Sequence, residues 1–313
     1  YSYIATSYLL SKNYKAAIEA LDKISEPDPG MKANYQKAAF LRGMKFMEKG
    51  SYSQAISSFN MSLENSEYNR NLMLLTRFWK AEALYRLGKY DESLKINLSL
   101  TDNSRFRNFK EYPLLLFNCG YCYFIKEEYQ KAIESFNSYL AKHHTNMDLI
   151  IESKTRIADS YFMLKDYQKA ASCYEEVALL NYQSENIIYS TYQSAICYGL
   201  LMSMDKRQEI LERLFKYPSD SPLYPQAIYE LGRTYIQTGA ISKAQITFNY
   251  IISDMNKSDF YGKAMIEMGL LYSNMEHYEE AFDYLTRVVE ELPSSEDCEN
   301  ALAVIESIYM IQN

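Results

Sequence analysis

The pattern of apolar, small and polar positions along this chain is one unit written eight times. It is clearest over Gln226 to Ser253, QAIYELGRTYIQTGAISKAQITFNYIIS. Gly232 is followed three residues on by Tyr235, twelve on by Ala244 and sixteen on by Phe248. Spacings of three and four put residues on one face of a helix, and Gly239 falls where a residue able to adopt a left-handed backbone ends a helix. The stretch therefore predicts two short helices folded back on each other. Their backbones approach where Gly232 and Ala244 leave no large side chain in the way, and aromatic rings fill the space beside that crossing.

The twelve-residue pair recurs without a gap inside any hairpin: Ala5/Ala17, Gly43/Ala55, Ala81/Ser93, Gly120/Ala132, Ala158/Ala170, Ala195/Arg207, Gly232/Ala244 and Gly269/Ala281. Three residues after each first member stand Tyr8, Phe46, Leu84, Tyr123, Tyr161, Tyr198, Tyr235 and Tyr272. A repeat of this length marks a stacked array, in which each unit buries its apolar face against its neighbours. The expected organisation is a single array over 1–313, with hairpins at about 1–30, 31–70, 71–108, 109–147, 148–184, 185–222, 223–258 and 259–295. A final helix follows at 296–312, capped from Ser294 to Asp297. Pro27, Asp28, Pro29 and Gly30 are expected to stop the first hairpin, and Arg207, a long cation at a close crossing, predicts a sixth hairpin that is splayed or shifted in register. The final helix carries Leu302, Ile305, Ile308, Tyr309 and Ile311, more apolar than a cap requires, which favours continuation of the array in a longer chain over the docking of a partner at this end.

These residues carry a family resemblance. The pattern of Gly or Ala, Tyr, Ala and Phe, with Pro29 and Pro293 near the ends of units, resembles the tetratricopeptide repeat over nearly the whole chain. The resemblance implies an all-α, right-handed α-α superhelix of eight hairpins plus a C-terminal helix, acting as a protein-binding scaffold with its first helices lining the concave side. The join Tyr217 to Gly232, YPSDSPLYPQAIYELG, resembles those of bacterial envelope scaffolds of the outer-membrane-assembly and Tol-Pal-accessory kind. That finer likeness implies a periplasmic or outer-membrane-associated place, with the cytoplasm as the alternative.

Composition narrows the functions. With 33 Lys and Arg against 40 Asp and Glu, the net charge of −7 gives no electrostatic footprint for nucleic acid, and a phosphate-binding role is not expected. No run of 18 apolar residues is present, so no membrane-spanning helix is predicted. The opening at Tyr1 suggests a processed protein or an excised segment. Five cysteines do not make a disulfide framework.

Candidate chemistry is sparse. Cys119 and Cys122 form a C-x-x-C, open to a redox or half-zinc reading, but Ser7, Ala83, Ser160 and Cys197 hold equivalent positions, as small packing residues would. His143 and His144 lie in a join and read as a solvated turn. No phosphate loop, nucleophile elbow or zinc-protease motif occurs, and adjacent pairs such as Glu127-Glu128 and Glu279-Glu280 point in different directions on exposed helix faces. No enzymatic activity and no cofactor are expected.

The informative surface is the one the first helices present together. Three residues before each first member lie Ser2, Phe40, Phe78, Phe117, Thr155, Tyr192, Tyr229 and Ile266, and four after it lie Leu9, Met47, Tyr85, Phe124, Phe162, Gly199, Ile236 and Ser273. The expected partner-binding residues are Phe40, Phe78, Tyr85, Phe117, Tyr121, Phe124, Phe162, Tyr192 and Tyr229, taking a peptide segment or helix in an aromatic groove. An aromatic stripe can equally be core. A glycan surface is the alternative function, with Glu82, Asp159, Arg233 and Gln237 as its polar groups. No Lys stands in the first row, and Thr6, Met44, Glu82, Tyr121, Asp159, Ile196, Arg233 and Leu270 follow the small residues. The family's clamp for an acidic carboxy-terminal tail is therefore not assembled.

Overall fold

The computed structural model describes residues 1–142, 146–180, 182, 184–216 and 220–312, so His143, His144, Asn181 and Tyr217 of the predicted joins lie outside the described residues. It contains seventeen α-helices, one 3-10 turn and no strand among those residues. The helices fall into two compact units, 1–146 and 147–313.

The first unit holds α1 (Ser2–Leu10), α2 (Tyr14–Leu21), α3 (Pro29–Glu48), α4 (Tyr52–Glu64), α5 (Arg70–Arg86), α6 (Tyr90–Thr101), a 3-10 turn (Phe106–Asn108), α7 (Tyr112–Ile125) and α8 (Tyr129–Leu140). The second holds α9 (Met147–Met163), α10 (Tyr167–Ala178), α11 (Glu185–Leu200), α12 (Met204–Lys216), α13 (Tyr224–Gln237), α14 (Ile241–Asp254), α15 (Tyr261–Asn274), α16 (Tyr278–Glu291) and α17 (Glu296–Gln312). Within each unit odd and even helices pair as hairpins, and α17 packs against α15 and α16.

One turn closes all eight hairpins. Three residues separate the helices of each, and the middle one has positive φ: Lys12, Gly50, Gly88, Glu127, Lys165, Met202, Gly239 and Glu276. The third residue donates its N–H to the carbonyl five residues back, as in Ala240 to Tyr235 at 2.8 Å and Glu128 to Tyr123 at 2.9 Å. This satisfies a carbonyl that the helix end would leave open. Sequence pointed to the three glycines alone.

The small residues meet as expected, and the glycines do more than allow backbone approach. Ser93 Oγ donates to the Ala81 carbonyl at 2.8 Å, which fixes the third crossing. Where the first member is glycine, a side chain on the second helix lies over it. A Cβ on Gly43 would fall 2.4 Å from the Phe59 ring, one on Gly120 2.7 Å from Phe136, and one on Gly232 2.5 Å from Phe248, while at Gly269 Leu285 takes that place. The glycine is thus the socket for a ring sixteen residues on.

Two expectations are corrected. Pro29 and Gly30 do not stop a helix; they open α3, with the Asp28 carboxylate accepting from Met31 N–H at 2.8 Å, as Pro at the first helical position permits. The sixth hairpin keeps the common register, with Ser203 N–H to the Tyr198 carbonyl at 2.9 Å and Arg207 N–H to the Ser203 carbonyl at 3.0 Å. The Arg207 side chain leaves the crossing past Gly199 and pairs with Glu230 of α13, so its charged end lies outside the crossing.

Candidate binding surface

The two predicted rows part company in the structure. In the row three residues before each crossing, Phe78, Phe117 and Tyr192 are buried, which corrects the expectation that they line an open groove. For Phe117 the glycine socket contributes. The ring over the glycine is also the neighbour of the ring one turn earlier, so Phe40 sits 6.1 Å from Phe59, Phe117 5.8 Å from Phe136, and Tyr229 5.8 Å from Phe248. Three residues on two helices interlock, and the earlier ring belongs to the packing of its own hairpin. Phe78, whose hairpin has no such glycine, is closed in by Trp79 at 5.3 Å and Phe106 at 5.9 Å. Phe40 and Tyr229 stay half-buried.

The row four residues after each crossing remains at the surface. Tyr85, Phe124 and Phe162 are half-buried, as is Tyr121. Each of the three meets, edge to face, the tyrosine that starts the second helix: Tyr85 and Tyr90 at 5.6 Å, Phe124 and Tyr129 at 5.7 Å, Phe162 and Tyr167 at 5.4 Å. Tyr121 bridges the rows of the first unit, 5.1 Å from Phe117 and 6.3 Å from Tyr85. Partial burial pushes the Tyr85 hydroxyl up to about 12, so it stays a neutral donor and acceptor at the surface.

Polar groups on the same helices are largely committed to one another. Glu82 is buried, accepting from Arg86 Nε at 2.8 Å and Asn118 Nδ2 at 2.5 Å. In the second unit Asp159 is buried and accepts from the hydroxyls of Tyr174 at 2.5 Å and Tyr189 at 2.9 Å and from Arg156 at 2.6 Å. Its burial raises the carboxyl above its ordinary value, against the lowering by Tyr174, Arg156 and Tyr189. Tyr192 Oη accepts from Gln226 Nε2 at 2.8 Å, and the Tyr229 hydroxyl donates to Glu267 at 2.9 Å. Beside Tyr229, on α13, α15 and α17, opens a cavity of about 480 Å³ whose walls include Arg233, Lys263, Glu230, Glu267 and Glu296.

Cys119 and Cys122 are buried and unpaired. Burial pushes the Cys122 thiol up to about 11 and Cys119 higher still, which disfavours the thiolate that redox or metal chemistry requires. Among the described residues no cluster of three or more His, Cys, Asp or Glu is placed to hold a metal, and no helix is long and apolar enough to cross a membrane.

Residues 152–180 and 262–291 each match the tetratricopeptide repeat. These matches fall on the hairpins α9–α10 and α15–α16. Solved structures agree on the fold. A tetratricopeptide repeat protein from Parabacteroides merdae is 16% identical, with 88% of this chain and 99% of that one covered at a TM-score of 0.51. The apo form of RapI is 14% identical, covers 98% and 95%, and has a TM-score of 0.56. A signal transduction ATPase with numerous domains and a tetratricopeptide repeat sensor, from Pyrococcus horikoshii, is 18% identical over 93% of this chain and 43% of its own, at a TM-score of 0.55. No curated protein matches the sequence. The fold is the all-α solenoid of this repeat class.

Within the repeats, sequence reasoning missed the acids that face the cavity. Glu230 and Glu267 both stand two residues before a socket glycine, a position the rows of apolar residues passed over. Reading polar residues in the same register would have aligned them.

Proposed function

We propose that the chain is a non-enzymatic scaffold that binds a peptide segment or helix of a protein partner through the exposed faces of its first helices. The observation that carries this lies in the first unit, where the rings of Tyr85 and Phe124 are only half-buried although the crossings are filled by other residues; in the second unit Phe162 is half-buried in the same register. Half-buried aromatic rings of this kind dominate interface energetics when a partner covers them. In the second unit the cavity beside Tyr229 adds polar recognition. Glu230, Glu267 and Glu296 against Arg233 and Lys263 favour a donor-rich or cationic side chain of the partner.

Phe78 and Phe117 in the first unit and Tyr192 in the second are buried and belong to the packing of their hairpins, while Phe40 and Tyr229 are half-buried. The glycan alternative loses two of its polar groups, since Glu82 and Asp159 are buried and already bonded. The join between hairpins six and seven supports a place for the scaffold in a bacterial envelope assembly.

A peptide array and a glycan array probed side by side test this reading. Peptides should bind, and Tyr85→Ala with Phe124→Ala should weaken them by about 2 kcal/mol or more while the helical signal is kept. Binding to glycans with silent peptides, or peptide binding indifferent to both substitutions, would overturn it.

A further inference from the structure

The turn of the first hairpin and the last two turns of α3 enclose a cavity of about 390 Å³. Its walls carry Lys12, Lys15, Arg42, Lys45 and Lys49, and no carboxylate. In a chain with 40 acids to 33 bases, five cations around one hollow are not what composition supplies, and the net charge of −7 conceals them.

Several lysines near the turns of later hairpins are neutralised, although Lys165, the counterpart of Lys12, forms no ion pair among the described residues. Lys89 pairs with Glu92 at 3.2 Å, Lys131 with Glu128 at 2.6 Å and Lys169 with Asp166 at 2.8 Å, and Lys126 pairs with Asp91. Around the first turn, Lys12, Arg42, Lys45 and Lys49 form no ion pair among the described residues, and Lys15 reaches only Glu19, at 3.7 Å with both side chains exposed. The N-cap positions explain the difference. Hairpins four and five place Glu128 and Asp166 there, whereas the first two place Asn13 and Ser51. Aromatic rings flank two of the cations instead, with Lys45 Nζ 5.8 Å from the Tyr14 centroid and the Arg42 guanidinium 5.6 Å from that of Phe46. Cation–π contact of this kind holds a positive group without cancelling its charge.

We propose that this cavity binds a compact ligand carrying two or more phosphate groups. Its volume is at the small end of ligand sites, which run from roughly 300 to 1,000 Å³. A guanidinium fork beside several ammonium groups matches phosphate oxygens. Duplex nucleic acid would need basic residues continued along a face, and a net charge of −7 gives no such footprint.

Titration calorimetry of the chain with tripolyphosphate should show one saturable site that weakens steeply with salt, with orthophosphate bound at least about tenfold more weakly. Lys45→Glu with Lys49→Glu, both at exposed positions, should reduce tripolyphosphate affinity at least about thirtyfold with unchanged helicity. Lys110→Glu, likewise exposed but outside the cavity, should leave it unchanged. Neutral vesicles doped with a bisphosphorylated headgroup form a second arm. Retention that is lost in the double variant assigns the phosphates to a membrane source, and no retention beside tripolyphosphate binding assigns a soluble one; either keeps the proposal. No saturable binding, binding insensitive to the double variant, or a hexaglutamate peptide bound as tightly as tripolyphosphate would overturn it.

Discussion

Replacing Gly232 by alanine tests the socket directly. The added Cβ would lie 2.5 Å from Phe248 Cε1, 2.6 Å from Cζ and 3.0 Å from Cδ1, about an ångström inside ordinary carbon contact. The ring is fully buried and 5.8 Å from Tyr229, so it has nowhere to swing without moving a second ring. Overpacking of this kind costs about 1 to 3 kcal/mol, and the helix gains back about 1 kcal/mol on losing a glycine. The expected result is a net destabilisation of up to about 2 kcal/mol. A double-mutant cycle isolates the contact. Phe248→Ala alone should cost about 3 to 5 kcal/mol, and on that background Gly232→Ala should turn stabilising. Gly239→Ala is the control, because φ is +75° there with nothing within 4 Å of the added carbon. It should cost about 1 kcal/mol of backbone strain whether or not Phe248 is present. Hydrogen exchange at the amides of α13 and α14 is the suitable readout, since stacked units open locally. If Gly232→Ala stabilised the wild-type chain as an unhindered Gly→Ala in a helix does, or its effect were independent of Phe248, the glycine would serve something other than a ring socket.

Glu276→Gly should stabilise by about 0.5 to 1 kcal/mol in urea unfolding, because it relieves a left-handed backbone at φ 62° that side chains disfavour. Arg207→Ala should cost about 3 kcal/mol by stranding Glu230, leaving it Arg233 at 3.7 Å, and Arg207→Met with Glu230→Gln should recover most of that in the same assay. Because burial raises the Asp159 carboxyl, the folded chain holds that proton more readily than the unfolded one. Its stabilising contribution is therefore present below the ordinary carboxylate range and is lost as pH rises through the raised value; Asp159→Asn should flatten that fall in a series of melting curves. Cys119 and Cys122 should react with a thiol reagent about a hundredfold more slowly in the folded chain than in urea, and equal rates would show that they are not enclosed.

How much of this was legible depends on what each residue type can signal. The crossings were readable because few residues fit them and their spacing is rigid, so Ala5/Ala17 through Gly269/Ala281 mark the hairpins before any coordinate. Turn positions were readable only where glycine fills them. Lys12, Glu127, Lys165, Met202 and Glu276 have the same backbone but carry no preference for it, and register alone gives them away. Arg207 misled because the crossing was treated as a limit on volume, whereas a flexible stem beside Gly199 carries the charge out to Glu230. The aromatic rows misled for a related reason. Residues three before and four after a crossing share a helix face, yet only the earlier one lies beside the ring seated on the glycine.

That division has a consequence for how such a surface can change. Phe40, Phe117 and Tyr229 are each tied to a glycine and a ring on the facing helix, so a substitution there must be matched at two other positions to keep the hairpin closed. Tyr85, Phe124 and Phe162 touch, through their rings, the tyrosine that begins the second helix, an edge contact worth about 0.5 to 1.5 kcal/mol. The corresponding positions in other hairpins already hold Leu9, Met47, Gly199, Ile236 and Ser273, which the fold tolerates. On the proposed function, stability and recognition occupy different registers of the same helix, about two turns apart, and substitutions in the later register would alter partner binding without reopening the crossing.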